Sequence, residues 1–189
     1  MNKQDVVAVV LGGPSSEAEV SRRTGGAIAE ALREKGYNAV EVELVPEKLV
    51  EQLREIDAKV VFNAVHGMYG EDGRLQSILE AIKMPYTGSG VLASAVAMDK
   101  VATKRFLISA NISTPKCLMY NKRFDNDMAK IEKEIIATFG VPVVIKAADQ
   151  GSSIGVEIVK EEADVAAALE NTFKYSDLVL VEECINGKE

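Results

Sequence analysis

The stretch VVAVVLGG (residues 6–13) decides the fold class predicted for the first half of the chain. Its uninterrupted apolar and β-branched residues are typical of a strand buried on both faces, and the closing glycines predict a tight turn. A helix is predicted for the next segment, SSEAEVSRRTGGAIAEALREKG (15–36), with Ser15 or Ser16 as its N-cap and Gly36 at its end. Helical periodicity predicts an inward face formed by Val20, Thr24, Ala27, Ile28, Ala31 and Leu32.

Strand and helix patterns go on alternating to about residue 97. The predicted strands are NAVEVEL (38–44) and KVVFNAVHG (59–67), and the predicted helices are VPEKLVEQLREI (45–56) and DGRLQSILEAIK (72–83), the last with Asp72 as its cap and Leu75, Ile78, Leu79 and Ile82 inward. Such alternation predicts an α/β unit with a parallel sheet, in which ligands bind outside the carboxyl ends of the strands. We therefore expect LGGPSSEAE (11–19) and AVHGMYGEDG (64–73) to meet at one edge of the sheet.

The pattern changes from about residue 98 onwards. A helix capped by Asp99 is followed by the extended segment ISTPKCLMY (112–120) and by a second helix over 127–140, whose inward residues are Met128, Ile131, Ile135 and Phe139. The remaining elements are strands at VPVVIKA (141–147), GVEIV (155–159) and LVLVEECI (178–185), and a helix over 161–173. This order predicts a small α+β unit whose helices cover one sheet.

Composition excludes several classes of protein. The 189-residue chain carries a net charge of −7, whereas a broad nucleic-acid interface needs a basic surface. Its two cysteines, Cys117 and Cys184, have no partner motif, so a disulfide framework is not expected and a reducing cytoplasm fits. The apolar run near the N-terminus has neither the length of a membrane span nor the pattern of a signal peptide.

The loop DQGSSIGV (149–156) follows a predicted strand that carries Lys146 near its end. Glycines let the backbone approach a ligand closely, and successive amides beside a lysine can bind an anion. The order of residues is not that of a Walker loop, in which the lysine follows the glycines. Taken alone, the segment is either an ordinary hairpin or a cover over phosphates.

Other charged residues also have two interpretations. Glu17, with Glu19, stands at the start of a predicted helix, where it either interacts with the helix dipole or holds a substrate ammonium group. His66, the single histidine, is either structural or part of a ligand site at the sheet edge. Lys100 and Lys104 lie on a predicted helix, where solvated side chains are the default expectation.

Five segments match one family in order and spacing: VVLGGPSSEAEVS, AVHGMYGEDGRLQ, MPYTGSGVLASAVAMDKVATK, VPVVIKAADQGSSIGV and LVEECINGKE. They resemble the D-alanine–D-alanine ligases of the ATP-grasp superfamily, and the resemblance covers essentially the whole chain. It implies that residues 1–97 form the Rossmann-like N-terminal (pre-ATP-grasp) substrate-binding domain and 98–181 the central ATP-grasp subdomain with its phosphate loop. Residues 182–189 would begin a C-terminal ATP-grasp subdomain that is otherwise missing.

The same resemblance implies a role for each candidate residue. Lys100 and Lys146 would bind ATP phosphates, with Ser152 and Ser153 on the loop that closes over them. Glu182, Glu183 and Ile185 would form the adenine hinge, partly through backbone groups, and Glu189 would bind the ribose hydroxyls. Glu17 would hold the ammonium group of the first D-alanine, His66 would line its subsite, and Ser152 would be catalytic together with Glu17.

The implied reaction starts with ATP phosphorylating the carboxylate of one D-alanine, after which the amine of the second attacks the D-alanyl phosphate. Two Mg²⁺ (or Mn²⁺) ions are expected, with their ligands in the missing subdomain and none in this chain. The partners would be two D-alanines and ATP, without nucleic acid or membrane, in a cytoplasmic homodimer formed through the N-terminal domain. The product would serve peptidoglycan synthesis, and thus cell wall biogenesis and cell shape.

Two positions depart from the family pattern: Ala147 stands where the family often has proline, and AADQ (147–150) lacks a basic residue common in that loop. The alternative hypothesis is that these 189 residues form a non-catalytic module that folds, dimerises and binds nucleotide weakly. A dinucleotide-binding oxidoreductase is disfavoured, because LGGPSSEAE lacks the G-x-G-x-x-G spacing.

Overall fold

The computed structural model describes residues 2–151 and 153–187. The chain divides into two compact units, Met1–Ala97 (unit 1) and Met98–Glu189 (unit 2). Over the described residues, no helix is long and apolar enough to cross a membrane. The assignment of functional domains to residues 1–97, 98–181 and 182–189 stays a prediction.

Unit 1 is built on a three-stranded parallel sheet of order β2-β1-β3. The strands are β1 (Val6–Leu11), β2 (Asn38–Glu43) and β3 (Ala58–Asn63), and the helices are α1 (Ala18–Glu34), α2 (Leu49–Glu55), α3 (Arg74–Ala81) and α4 (Val91–Met98). Both faces of the central strand are covered, since Ala8 and Val10 pack in the core with α2 and α3 while Val9 packs with α1. The continuous apolar run of β1 therefore predicted its position correctly.

Helix α1 packs through a different face from the one predicted. Its buried residues are Ser21, Gly25 and Ala29, whereas the predicted Val20, Ala27 and Ala31 are exposed. Ile28 and Leu32 do pack against the core, as predicted. The reason is a close approach of two backbones: a Cβ placed on Gly25 would lie 2.6 Å from the Cβ of Leu11. Small residues allow this close approach. The sequence prediction was based on the spacing of apolar side chains and therefore did not detect a contact made by glycine.

The predicted caps of unit 1 are confirmed only in part. Glu17 is the N-cap residue of α1 and makes no side-chain cap, so the prediction of Ser15 or Ser16 in this role was wrong. The hydroxyl of Ser15 instead accepts from the backbone N–H of Glu17 at 3.0 Å. Asp72 does accept from the backbone N–H of Arg74, the first residue of α3, although Gly73 occupies the N-cap position. Leu75 and Leu79 of that helix are buried as predicted.

Helix α4 has no counterpart among the predicted elements. Its sequence, VLASAVAM, is almost entirely apolar and therefore shows no polar face from which a helical period could be recognised. Ser94 is its buried residue, and Leu92 is among the exposed large apolar residues of the chain.

Unit 2 is built on a four-stranded antiparallel sheet of order β4-β7-β5-β6. Its elements are α5 (Lys100–Ser109), β4 (Cys117–Asn121), α6 (Met128–Phe139), β5 (Val143–Ala147), β6 (Val156–Val159), a 3-10 helix (Glu162–Asp164), α7 (Val165–Thr172) and β7 (Leu178–Glu183). The sequence predicted these elements, although the extended segment 112–120 forms a strand only at its end. Asp99 caps α5 as predicted, accepting from the N–H of Ala102.

The two faces of this sheet differ in chemistry. Helices α6 and α7 cover one face, where Ile131, Ile135 and Leu169 pack against Val143 and Ile145 of β5. Side chains alternate along a strand, so Lys146 of β5 and Glu182 of β7 belong to the opposite face. Helix α5 packs there through Val101, which contacts Leu180 in a smaller apolar cluster. The unit therefore places a charged pair on one face of a sheet whose other face is an apolar core.

Candidate functional site

A buried carboxylate lies between two lysines in unit 2. The Oε1 atom of Glu182 is 2.5 Å from Nζ of Lys104, and its Oε2 atom is 2.5 Å from Nζ of Lys146. Leu180 of β7 is the pairing partner of Lys146, and this places Glu182 two residues further along the same face of the strand. Such diagonal neighbours are within reach of long side chains. The sheet register and α5 together bring the three charges into contact.

The position of Lys104 corrects a sequence-based expectation. This lysine is not solvated: it is 4% exposed, and its ammonium group also donates to Oγ1 of Thr114 at 2.7 Å and to the carbonyl of Pro115. The sequence contains one indication that Lys104 has an acidic partner. Lys100 and Lys104 are four residues apart on one helix, where like charges are unfavourable unless an acidic partner comes from elsewhere. Glu182 supplies that partner.

The ionisation of Glu182 follows from this environment. Burial raises the pKa of its carboxyl group, but hydrogen bonds from Lys104 and then Lys146 outweigh burial and hold the pKa below its ordinary value. The carboxylate is therefore charged near neutral pH. Each of its oxygen atoms is bound to one ammonium group, so the two lysines fix the direction of the side chain. The predicted role of Glu182 in an adenine hinge stays a prediction.

Lys100 contacts the loop that the sequence singled out. Its ammonium group donates to the carbonyl of Gln150 at 2.5 Å, and its backbone N–H donates to the carbonyl of Ala148 at 2.9 Å. Burial lowers the pKa of Lys100, and the positive charge of Lys146 lowers it further. Lys100 is bonded to residues 148 and 150, which directly follow the strand that carries Lys146, and Lys146 is bonded to Glu182, so the three residues lie in one region of unit 2.

The segment from 148 to 155 connects antiparallel strands and is therefore a hairpin loop. Gly155 has a φ of +65°, and a Cβ placed on it would lie 2.7 Å from the Cβ of Ala147, so a side chain is excluded on two grounds. Ser153 is exposed, whereas Ser152 lies outside the described residues. The two interpretations are compatible, because a hairpin whose carbonyl contacts Lys100 can also cover an anion bound by that lysine.

The end of β7 carries the remaining residues predicted to bind nucleotide. The side chain of Glu183 accepts from the backbone N–H of Lys116 at 2.8 Å, and its own N–H donates to the carbonyl of Lys116. Glu183 therefore fixes the start of β4 to the end of β7. Ile185 is 64% exposed just beyond the strand, and Glu189 lies outside the described residues.

In unit 1, the turns after β1 and β3 meet as predicted. A Cβ placed on Gly67 would lie 2.7 Å from Oε2 of Glu17 and 2.8 Å from Oγ of Ser15, so the carboxylate of Glu17 lies directly against the backbone beside His66. Gly67 has a φ of +67°, which favours glycine in addition. The sheet edge thus brings the two predicted substrate residues of unit 1 into one neighbourhood.

His66 lines a cavity of about 410 Å³ within unit 1. Other polar residues in its lining include Thr24, Asn63, Glu71, Gln76 and Ser94. The Nδ1 atom of His66 is 3.9 Å from Oε1 of Glu71, and the imidazole side chain is about one third exposed. Glu71, in the turn before α3, therefore lies close to His66.

Three polar residues that the sequence did not single out hold this edge together. The hydroxyl of Ser21, fully buried on α1, accepts from the N–H of Gly12 after β1 and donates to the carbonyl of Ala64 after β3. Asn63 and Gln76 both donate to the carbonyl of Gly70, at 2.8 and 2.7 Å. A buried serine or amide with such partners cannot be recognised from sequence, because the partners are brought together only by the sheet.

No cluster that fits a metal ion is present over residues 2–151 and 153–187, where no group of three or more His, Cys, Asp or Glu side chains converges. Divalent cations such as Mg²⁺ need several oxygen ligands. The sequence-based expectation places the magnesium ligands outside this chain, and it stays a prediction.

Comparison with known proteins identifies the family. A curated D-alanine–D-alanine ligase from Moorella thermoacetica is 44% identical over 184 residues, which are 97% of this chain and 59% of that protein. Family models described as D-ala D-ala ligase N-terminus and D-ala D-ala ligase C-terminus match residues 43–89 and 106–189. The chain belongs to the D-alanine–D-alanine ligase family.

Solved structures agree with this membership. The D-alanine–D-alanine ligase from Bacillus anthracis aligns with a TM-score of 0.85 and 34% identity, covering 97% of this chain and 58% of that one. Its complex with ATP aligns with a TM-score of 0.83 and 32% identity, covering 97% and 60%. The predicted fold class, a parallel α/β unit followed by a small α+β ATP-grasp unit, is confirmed. The D-alanine–D-alanine ligase homologue described here spans about three-fifths of the length of its curated relatives.

Proposed function

We propose that this chain forms the substrate-binding and phosphate-binding parts of an ATP-dependent ligase that joins two D-alanines into D-alanyl-D-alanine. The observation that carries the proposal is the buried carboxylate of Glu182, which is bound by Lys104 and Lys146, with Lys100 bound to the adjoining hairpin loop. Lys146 is partly exposed and keeps donors beyond its bond to Glu182, and the loop beside it contains glycine, so this region favours a further anion. A polyphosphate has that charge, and the relative from Bacillus anthracis was solved with ATP.

In this proposal the reaction proceeds by activation of a carboxylate, which is a poor electrophile. The terminal phosphoryl group of ATP passes to a carboxylate oxygen of the first D-alanine and ADP leaves. The amine of the second D-alanine then attacks the carbonyl carbon, and phosphate leaves as the amide forms. Negative charge develops on the phosphoryl oxygens in the first step, and preorganised cations stabilise it. Lys146, which is 29% exposed and has donors beyond its bond to Glu182, is placed for this role.

The substrate residues of unit 1 fit the amino acid partner. The carboxylate of Glu17, held against Gly67, is proposed to bind the ammonium group of the first D-alanine, and His66 to line the same subsite. Ser152, which lies outside the described residues, is proposed to be catalytic, as is Glu17, and Ser153 is proposed to help the loop close on phosphate. We assign adenine to Glu182, Glu183 and Ile185, partly through their backbone groups, and the ribose hydroxyls to Glu189.

Two Mg²⁺ or Mn²⁺ ions, when bound, would neutralise the phosphate oxygens. No site for them is found among the described residues. We also propose a homodimer formed through unit 1, a cytoplasmic location, and a role of the dipeptide product in peptidoglycan synthesis, cell wall biogenesis and cell shape. These proposals are supported by the shared family of the relatives.

The test is an isothermal titration of the 189-residue chain with ATP, followed by a phosphate-release assay with D-alanine, Mg²⁺ and ATP. Loss of a charge-assisted hydrogen bond costs roughly 1.5–3 kcal/mol, so Lys146→Met is expected to weaken ATP binding by about tenfold or more. Lys133→Met is the matched control, because this lysine is exposed on α6, which covers the opposite face of the sheet. Equal ATP affinity in the two variants would contradict the proposal.

A second candidate function concerns the described residues by themselves. These residues would form a non-catalytic module that binds nucleotide weakly. The two functions differ in the phosphate-release assay. D-alanine-dependent phosphate release by the 189-residue chain would exclude the module, whereas nucleotide binding without release would support it.

A further inference from the structure

Lys104 is enclosed by protein acceptors. It is 4% exposed, and its ammonium group donates to Oε1 of Glu182, to Oγ1 of Thr114 and to the carbonyl of Pro115, at 2.5, 2.7 and 2.5 Å. A lysine ammonium group has three donors, and these contacts give each of them one acceptor. Lys104 has no donor left for a ligand, so any effect it has on an anion must pass through another residue.

Glu182 is the residue through which such an effect would pass. Its carboxylate is about 7% exposed, with Oε1 bound to Lys104 and Oε2 bound to Lys146. The two oxygens of a carboxylate are fixed in one plane, so the bond at Oε1 sets the direction of Oε2. The position of the Lys146 ammonium group therefore depends on a bond that Lys146 does not make.

Lys104 also fixes the element that carries Lys100. It lies one helical turn after Lys100 on α5, and its bonds to Thr114 and Pro115 attach that helix to the segment before β4. An exposed cation on the same helix, Arg105, has a comparable charge but lies outside this network. Substituting Lys104 or Arg105 removes one positive charge from the same helix, but only the Lys104 substitution breaks the contacts with Glu182, Thr114 and Pro115. Comparing the two variants therefore distinguishes the effect of the lost charge from the effect of the lost contacts.

We infer that Lys104 is a positioning residue of the nucleotide site: it holds Glu182 so that Glu182 aims the Lys146 ammonium group at phosphate. This inference rests on the proposed function, in which Lys146 binds a phosphate of ATP. Lys104 sets the affinity for polyphosphate without contacting it. Adenosine has no phosphate for Lys146 to bind, so adenosine binding is independent of Lys104.

The first experiment is a double-mutant cycle on the 189-residue chain, with ATP, tripolyphosphate and adenosine as ligands. Lys104→Met is expected to weaken ATP and tripolyphosphate binding about tenfold, as loss of one charge-assisted bond does, and to leave adenosine binding within about twofold. In the Lys146→Met background the same change is expected to cause no further loss, because its effect passes through Lys146. Arg105→Met is the matched control and should change neither affinity by more than about twofold.

Two results would overturn the inference. Additive losses from Lys104→Met and Lys146→Met would show that Lys104 acts independently of Lys146. An equal loss of adenosine binding would show a general disturbance of the fold. Should Lys104→Met not fold, Thr114→Val replaces it: removal of one acceptor is expected to weaken ATP binding about two- to threefold, again only when Lys146 is present.

The second experiment separates this inference from the proposed function. The carboxyl carbon of Glu182 is titrated by ¹³C NMR in the chain without ligand, with Arg105→Met as control. Lys104→Met is expected to raise the pKa of Glu182, since one of the two bonds that lower it is lost. If no nucleotide binds but this rise is seen, the proposed function fails and the link from Lys104 to Glu182 stands. An unchanged titration refutes the link, whatever the nucleotide result.

Discussion

The Glu182→Gln substitution keeps the shape of a buried side chain and removes its charge. An amide group has one oxygen and one NH₂ group, whereas both oxygens of Glu182 accept from ammonium groups. Either orientation of the glutamine amide thus turns a donor towards a donor. Lys146 can turn to solvent because it is partly exposed, but Lys104 cannot, and its charge is left without an anion.

The expected magnitude follows from these contacts. Removing one partner of a buried ion pair costs roughly 3–5 kcal/mol. Lys104 keeps Thr114 and Pro115 as acceptors, so we expect a loss near the lower end, about 3 kcal/mol. This corresponds to a decrease of the melting temperature on the order of 10 °C.

The loss should depend on pH in a defined direction. The pKa of Glu182 is lowered in the folded chain from an ordinary value of 4.5, which means that the folded state stabilises the ionised form of this side chain. The stability it contributes is fully present above pH 4.5 and is lost as the pH falls through the lower folded-state pKa. The difference between the wild-type chain and Glu182→Gln should therefore be largest near neutral pH and should shrink in acid.

Urea denaturation at several pH values measures this difference. Glu170→Gln is the matched control, because Glu170 is exposed on α7, and it should change stability by less than about 0.5 kcal/mol. A Glu182→Gln variant as stable as this control, or one whose loss does not change with pH, would refute the reasoning.

Two further predictions concern packing. Gly25→Ala should destabilise unit 1 by about 1–3 kcal/mol, because the new Cβ would lie 2.6 Å from the Cβ of Leu11. Gly26→Ala on the same helix meets open space and should stabilise it by up to about 1 kcal/mol, so thermal unfolding of the two variants should shift in opposite directions, and shifts of the same sign would contradict the packing of α1. Leu169→Ala removes a fully buried side chain from the core of unit 2 and should cost about 2–5 kcal/mol in urea denaturation, whereas a cost below about 1 kcal/mol would contradict its placement there.

Most of the fold could be predicted from local sequence patterns. An apolar run covered on both faces, as in β1, can be recognised from the sequence because every residue gives the same signal. The inward face of α1 could not be recognised so well, since the closest contact of that helix is made by a glycine, which has no hydrophobic side chain to count. The resemblance to the ligases supplied the site residues, and the structure brought Lys100, Lys146 and Glu182 together and placed Glu17 near His66.

Residues that act only through tertiary contacts were missed. Lys104 has the sequence context of an ordinary surface lysine, and its acceptors lie 10, 11 and 78 positions further along the chain. Ser21 is a second case, because its acceptor and its donor follow two different strands. The spacing of Lys104 from Lys100 indicates that an acidic partner is needed, but neither that partner nor those of Ser21 could be recognised before the sheet registers were known.

The carbonyl of Gln150 accepts from one of the three ammonium donors of Lys100. A phosphate oxygen that binds another of these donors leaves the carbonyl in place, whereas one that takes the same donor exchanges one acceptor for another. In the exchange, the gain in affinity is the difference between two contacts and is smaller than the strength of the new contact alone. Once released, the carbonyl needs another donor or water, and this couples the conformation of the hairpin to the presence of the anion.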